Sequence, residues 1–147
     1  MDSIRQRIES LINMVNEANA LAGIEKYSFH FDDRQLMNVK ADNSTFPIAF
    51  FEEYNSGYYD TPNYINKVTN VELYFCRLCQ TANEGLEREQ IREQIEEEAV
   101  KPFIRACLEH PEIIERVATF NFTAPPPRFD ANEVSIMLSF SASYPSC

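Results

Sequence analysis

The longest helical pattern in the chain runs from Gly85 to His110, and its two halves have opposite character. The first half, Leu86 to Glu98, is crowded with charged residues, whereas the second half, Ala99 to Leu108, is almost entirely apolar. Apolar residues recur every three to four positions, so they share one helical face that must be buried. The neighbouring segments have patterns typical of strands. We therefore predict an α+β fold in which a mostly antiparallel sheet packs against this long central helix and an N-terminal helix.

A proline inside the long helix predicts an irregularity. Pro102 has no backbone N–H, so it cannot donate the helical hydrogen bond to the carbonyl of Glu98. We expect a kink near Glu98, where the charged half gives way to the apolar half.

Residues 3 to 22 are predicted to form the N-terminal helix. Ser3 can cap its first turn, and Gln6, three positions later, completes a capping box. Gly23 follows directly and suits the left-handed conformation that commonly ends a helix. The apolar face of this helix consists of Ile4, Ile8, Leu11, Val15, Ala18 and Ala22.

Five segments have the alternating or continuous apolar pattern of strands. They are Tyr27–Phe31, Phe46–Phe51, Val68–Leu78, Val117–Thr123 and Val134–Tyr144, and Leu36–Lys40 is a candidate for one more short strand. Pro47 cannot donate to a ladder, which places it at the start of its strand or on an edge. Alternation predicts that Phe120 and Phe122 point inward. Val68–Leu78 has apolar residues on both faces, as expected of a central strand that is covered on both sides.

The chain of 147 residues has a size typical of one domain, and we assign residues 1–147 to a single domain. Its formal net charge of −10 would repel a phosphate backbone and argues against nucleic-acid binding. Its three glycines cannot build a glycine-rich phosphate loop. Half of the net charge lies between Glu84 and Glu98, where seven Glu and two Arg give 2 − 7 = −5. This acidic half-helix is either a solvated face or a surface that faces a partner or a channel.

The cysteines and histidines form no recognisable catalytic or metal-binding pattern. Cys76 and Cys79 form a C-x-x-C, but they lie along a predicted strand, where side chains three positions apart point to opposite faces. We therefore predict neither zinc nor a disulfide there. His30 and His110 have no nucleophile or carboxylate at motif spacing. The sequence thus predicts a protein that is not an enzyme and has no cofactor, no metal and no catalytic residue.

No targeting segment is visible, and no apolar run is long enough to span a bilayer. Four cysteines without a signal peptide are typical of reduced thiols in a cytoplasmic setting. We therefore expect a cytoplasmic protein that makes no membrane contact.

Residues 53–66 are predicted to form a tyrosine-rich loop. Tyr, Asn, Ser and Gly together are typical of adaptable binding surfaces, because tyrosine provides a large contact area at a low cost in conformational entropy. The alternative is a surface loop whose tyrosines pack on their own domain. A stiff proline-rich connector is predicted over 124–129. The candidate protein-contact residues in these two segments are Tyr54, Tyr58, Tyr59, Tyr64, Arg128 and Phe129.

The order of these elements resembles that of the tail-terminator (tail-completion) proteins of long-tailed phages and prophages. The resemblance spans most of the chain, and it rests on element order and on the Phe46-Pro47-Ile48 and Val134–Tyr144 strands rather than on a signature motif. It implies an α+β subunit that forms a homo-oligomeric ring, closes the end of the tail tube and joins it to the head connector. It implies no catalytic residues.

The function expected from this resemblance is structural, in the host cytoplasm during assembly and then in the virion tail. The expected partners are further copies of the chain, the tail tube and the head-connector proteins. An acidic subunit that lines a tube would let DNA pass without binding it. The alternative is a cytoplasmic adaptor that uses the tyrosine-rich segment to hold a protein or peptide.

Overall fold

The computed structural model of the chain describes residues 2–32, 46–78, 85–115, 119–126 and 133–145. These residues form helices and a six-stranded sheet, which confirms the predicted α+β fold. In chain order the elements are α1 (Ile4–Leu21), β1 (Ser28–Asp32), β2 (Ile48–Glu52), β3 (Ser56–Asp60), β4 (Asn66–Leu78), α2 (Gly85–Ile95), a π-helical turn (Glu96–Val100), α3 (Lys101–Glu109), β5 (Asn121–Thr123) and β6 (Glu133–Pro145).

The strands of the sheet follow the order β1-β2-β4-β6-β5, and β3 pairs with β4. The β1–β2 pair is parallel, and the other pairs are antiparallel. β4 and β6 pair along their whole length, from Asn66 opposite Pro145 to Leu78 opposite Glu133. Since β6 occupies one edge of β4 throughout, β2 and β3 must share the other edge. The predicted, mostly antiparallel sheet is thus confirmed, and the β4–β6 ladder is its centre.

The first helix begins and ends as its sequence predicts. The backbone N–H of Gln6 donates to Ser3 Oγ over 3.2 Å, and the backbone N–H of Ser3 donates to Gln6 Oε1 over 2.7 Å. These two bonds form the capping box, which satisfies donors that the first turn leaves without a helical partner. Gly23 follows the helix with a φ of 74°, a left-handed conformation that glycine adopts without strain.

The core lies between the helices and one face of the sheet. The ring of Phe75 on β4 lies 6.2 Å from that of Tyr27 and 5.9 Å from that of Phe103, which in turn lies 5.9 Å from Phe140 on β6. Aromatic rings therefore connect α3 to both central strands. The opposite face of the sheet carries a smaller cluster, so β4 has buried side chains on both of its faces. This cluster consists of Ile48, Phe50, Tyr74 and Cys76, with Phe46 and Met137 packed against it.

The long helix is irregular where Pro102 was expected to disturb it. In the π-helical turn between α2 and α3, the backbone N–H of Lys101 donates to the carbonyl of Glu96, five residues back. Pro102 then lies in the first turn of α3, where a missing N–H costs least. α2 buries Ile95 alone, whereas α3 buries Phe103, Ala106 and Cys107. The apolar half thus anchors the helix, and the charged half is largely solvated. None of the helices in the described part of the chain is long and apolar enough to cross a membrane.

Two predicted strands have a different outcome. Of the predicted Val117–Thr123, residues 121–123 form β5 and residues 119 and 120 do not belong to a strand. Residues 117 and 118 lie outside the described residues, as does Leu36–Lys40. Phe120 is partly buried, with its ring 5.0 Å from that of Phe140, but Phe122 is 72% exposed. The expectation that Phe122 is buried is therefore wrong. Phe122 lies opposite the buried Leu138, so it shares the helix-bearing face, yet α3 does not cover it at this edge of the sheet.

Candidate functional site

The tyrosine-rich segment is the outer half of a β-hairpin. β2 and β3 follow one another along the same edge of β4, and residues 61–65 connect β3 to β4. The prediction of a loop over 53–66 is therefore wrong for residues 56–60 and for residue 66, which belong to strands. All five residues of β3 are exposed, so β3 lacks the alternating apolar face by which a sequence reveals a strand.

A bulge separates the inner and outer halves of this hairpin. Phe51 lies opposite Leu73, and Ser56 lies opposite Asn70, so residues 52–55 face only residues 71 and 72. Such extra residues disrupt the ladder and increase the local twist of a strand. The inner half, β2, is buried over Ile48–Phe51, whereas the outer half is fully exposed. The bulge therefore marks the point at which the hairpin leaves the core.

The four tyrosines of this segment are all exposed, by 57% to 72%, and Ile65 beside them is 52% exposed. The alternative in which these tyrosines pack on their own domain is therefore wrong. Tyr58 and Tyr59 are adjacent in β3 and point to opposite faces, so the hairpin presents aromatic surface on both sides. We call residues 53–65 the aromatic hairpin. Its role in protein contact stays a prediction.

The aromatic hairpin is attached to the central strands by polar contacts and by a close backbone approach. Asn70 Nδ2 donates to Ser56 Oγ over 3.3 Å, and Ser141 Oγ donates to Asn70 Oδ1 over 2.9 Å, which joins β3, β4 and β6. A Cβ atom on Gly57 would lie 2.0 Å from the carbonyl oxygen of Val68. Only glycine fits this position, so the sequence of β3 is adapted to its pairing with β4.

A second surface lies at the opposite edge of the sheet. It is a groove of about 220 Å³ between the long helix and the β5–β6 edge, and Glu96 and Lys101 are among its lining residues. We call it the apolar groove. Its apolar walls consist of Val100, Ile104, Phe120, Phe122, Ile136 and Leu138. No local sequence pattern predicts this groove, because three segments that are distant in the chain come together to form it.

A largely buried ion pair joins the long helix to β4. Arg77 Nη2 lies 2.8 Å from Glu98 Oε2, and Arg77 Nε donates to the same oxygen over 3.0 Å. The hydroxyl of Tyr27 accepts from Arg77 Nε over 3.1 Å and donates to Glu98 Oε2 over 3.1 Å. Burial raises the pKa of the Tyr27 hydroxyl above its ordinary value, so it stays neutral and can donate. The charges of Arg77 and Glu98 neutralise each other, and both residues contact the Tyr27 hydroxyl, which indicates a structural role.

The remaining candidates for chemistry have ordinary structural settings. Burial raises the pKa of the Cys107 thiol to about 12, so it is protonated and weakly nucleophilic at neutral pH. His110 ends α3, and its Nδ1 lies 2.9 Å from Glu112 Oε1 at the surface. The parallel register of β1 and β2 places Asp32 beside Glu52, a proximity that the sequence did not predict. Within the described ranges, no group of three or more His, Cys, Asp or Glu residues could hold a metal ion.

Some predicted residues fall outside the described part of the chain. Arg128 and Phe129 are among them, and so is Cys79, whereas Cys76 is buried on β4. The predicted absence of zinc and of a disulfide in the C-x-x-C therefore stays a prediction. A scan against models of protein families gives no match, and a search of curated proteins gives none either. The aromatic hairpin and the apolar groove are the features from which a function can be inferred.

Proposed function

We propose that this protein is a non-enzymatic structural subunit that forms a homo-oligomeric ring, closes the tail tube of a long-tailed phage or prophage and joins it to the head connector. The observation that supports this proposal is the aromatic hairpin, in which a fully exposed strand and its flanks carry four exposed tyrosines. Large exposed apolar patches in a folded protein mark sites of contact with other molecules.

The composition of β3 also favours contact with another chain. Natural edge strands are protected from pairing by lysine, proline or inward-pointing charges. Within β3 the only charged residue is Asp60, at its end, and the strand contains neither lysine nor proline. A subunit that buries this strand against a neighbour removes both the tyrosines and the backbone groups that do not face β4 from water.

The acidic half of the long helix fits a subunit that surrounds a DNA channel. Two of its seven glutamates form ion pairs, Glu98 with Arg77 and Glu97 with Lys101. A third, Glu84, lies outside the described residues. Other glutamates remain exposed, among them Glu89 and Glu93 on α2. A face of this kind, turned toward the channel, would repel the phosphate backbone and allow DNA to pass. On this proposal the protein assembles in the host cytoplasm and ends in the virion tail.

The aromatic hairpin also favours a second candidate function, a cytoplasmic adaptor. An exposed edge strand can accept an extended peptide as an additional strand, and the flanking side chains then provide specificity. An adaptor of this kind would bind a single partner and need not assemble with copies of itself. The two candidates therefore differ in their assembly state.

Assembly of the purified chain tests the proposal. We expect sedimentation at high concentration to show a closed oligomer, or electron microscopy to show rings on the ends of tail tubes from the phage that encodes the chain. Hydrogen exchange at residues 56–60 should slow on assembly, because β3 becomes covered. A chain that stays monomeric at high concentration and does not bind tubes would contradict the proposal and favour the adaptor.

A further inference from the structure

We propose that β3 pairs with β3 of a second copy of the chain in antiparallel orientation, about a two-fold axis at Tyr58. Two free subunits would then cover each other's aromatic hairpins. This inference rests on the proposed function, in which copies of the chain associate, and it assigns the state of the subunit before a ring forms. Because the pairing occupies the edge of β3, the two copies must separate before the hairpin contacts a different surface in a ring.

The outer edge of β3 is the feature that carries this inference. One edge of β3 pairs with β4, and no strand in the described part of the chain pairs with its other edge. β1 extends along β2 only as far as Glu52, so it does not cover the edge of β3, which begins at Ser56. Tyr58 and Tyr59 project from opposite faces of this strand. A partner strand at the edge contacts side chains on both faces, whereas a surface groove would receive only one of them.

The sequence of β3 is complementary to itself in this orientation. A two-fold axis at Tyr58 gives the one antiparallel register that pairs all five residues of β3 with the five of its copy. Tyr58 then lies opposite Tyr58 of the other copy on one face of the sheet, and Tyr59 lies opposite Gly57 on the other face. A glycine leaves room for an aromatic ring across the strand pair, and aromatic cross-strand pairs stabilise sheets. Each Ser56 lies opposite Asp60, whose carboxylate can accept a hydrogen bond from the hydroxyl.

The same register keeps like charges apart. Each copy has a net charge of −10, so electrostatic repulsion opposes association. The two Asp60 carboxylates lie at opposite ends of the paired strands, about 14 Å apart at the usual rise per residue, which exceeds the Debye length of about 8 Å at physiological ionic strength. Burial of the tyrosines, rather than charge, then drives the contact. Added salt should strengthen the dimer, because it screens the remaining repulsion.

The exposed area of the hairpin predicts a reversible dimer. In this register residues 53–55 of one copy extend past Asp60 of the other toward its residues 61–65, so Tyr54 approaches Tyr64 and Ile65. The four tyrosines are exposed by 57% to 72% and offer at most roughly 500 Å² from each copy, since a buried aromatic side chain covers about 150–250 Å². A standard stable interface buries about 800 Å² on each partner. The dimer should therefore form at micromolar concentrations or above and separate on dilution.

A charge-exchange experiment at Tyr58 tests the pairing. Tyr58→Lys places two like charges directly across the two-fold axis, and so does Tyr58→Glu; Tyr58 is 60% exposed, so both variants should fold. In sedimentation, each variant alone should dimerise at least about tenfold more weakly than the wild type. An equimolar mixture of the two should form a heterodimer, because a lysine then faces a glutamate. Leu86→Lys and Leu86→Glu, at an exposed position of α2, are the matched controls and should dimerise like the wild type, alone and mixed.

The outcomes separate this inference from the proposed function. A Tyr58 variant that dimerises like the wild type, or a mixture with no more dimer than its components, overturns the pairing. Rings or tube binding by a wild type that forms no such dimer overturn the pairing and leave the proposed function standing. A wild type that forms this dimer, but neither forms rings nor binds tail tubes, supports the pairing and contradicts the proposed function.

A wild type that is monomeric at about 1 mM, far above the concentration that a contact of this area requires, and that binds no tubes contradicts both and favours the adaptor. Circular dichroism and thermal unfolding of each variant establish that a loss of association is not a loss of fold.

Discussion

The side chain of Asn19 supplies the hydrogen bond that Pro102 cannot give to Glu98. Asn19 Nδ2, in the last turn of α1, donates to the backbone carbonyl of Glu98 over 2.8 Å. A buried carbonyl without a donor would destabilise the fold, so the defect that the proline creates in one helix is repaired by another. The same residue of the long helix uses its carboxylate to bind Arg77. Glu98 thus joins α1, the long helix and β4 at one point.

Asn19→Ala should lower the free energy of unfolding by about 1–3 kcal/mol, because the carbonyl of Glu98 loses its donor in a mostly buried setting. Chemical denaturation measures this change. Glu17→Ala, at an exposed position of the same helix, is the control and should be nearly neutral. In a Pro102→Ala background the loss should be smaller, because residue 102 then has an N–H. Equal losses in both backgrounds would show that Asn19 does not compensate for the proline.

Arg77→Met should destabilise the protein by about 3–5 kcal/mol, because it leaves the largely buried carboxylate of Glu98 without its cation. The double variant Arg77→Met/Glu98→Gln removes both charges and should recover part of the loss. Thermal and denaturant unfolding of the wild type, the two single variants and the double variant measure the coupling. A single-variant cost below about 1 kcal/mol, the range of exposed ion pairs, would contradict a stabilising role for the pair.

Stability should fall as the pH rises above about 9. The thiol of Cys107 has an ordinary pKa of 9.0, which burial raises to about 12. At pH values between these two pKa values, the unfolded chain releases the thiol proton and the folded chain keeps it. The unfolded state therefore binds fewer protons, so the free energy of unfolding falls as the pH rises. Above pH 10 Tyr27 adds to the effect, since burial raises its pKa as well.

The contribution of Cys107 can be isolated by the slope of stability against pH. In Cys107→Ala, stability should decline less steeply between pH 9 and 10 than in the wild type, whatever the absolute loss from the smaller side chain. Leu108→Ala, at the neighbouring exposed position of α3, should keep the wild-type slope. Identical slopes for Cys107→Ala and the wild type would show that the buried thiol is not linked to folding.

Gly57→Ala should disrupt the pairing of β3 with β4, because the added Cβ would lie 2.0 Å from the carbonyl oxygen of Val68. We expect a cost of about 1–3 kcal/mol, the range for overpacking at a close contact. Hydrogen exchange should become faster at residues 56–60 and 66–70, while the core keeps its protection. Gly85→Ala is the matched control, since its nearest neighbour is the end of the Arg88 side chain at 3.8 Å. Unchanged exchange in Gly57→Ala would contradict the close approach.

Local signals made much of the fold predictable. The capping box of Ser3 and Gln6 and the left-handed Gly23 depend on residues that are neighbours in the chain, so α1 was located almost to the residue. The regular alternation of β6 and the two apolar faces of β4 likewise depend on short-range periodicity. The buried face of a helix or strand determines the spacing of its apolar residues, and this spacing can be read directly from the sequence.

The candidate site was predicted only in part. The composition of residues 53–66 identified the tyrosines, but not the strand that carries them. β3 is exposed on both faces, so burial imposes no alternation on its sequence, and its pairing depends on a register that β4 provides. Whether the tyrosines pack on their own domain or face solvent depends on the bulge after β2. No local sequence pattern predicts this bulge.

Contacts between residues that are distant in the chain were decided by the tertiary arrangement. Asn19 and Glu98 are separated by 79 positions, and the groove at Phe122 combines the long helix with two strands. The sequence carried the residue types for these contacts, such as a proline that removes a donor and an asparagine that can donate. Their pairing required α1 and the long helix to pack on one face of the sheet, because a hydrogen bond or an apolar groove exists only when its parts are brought within contact distance.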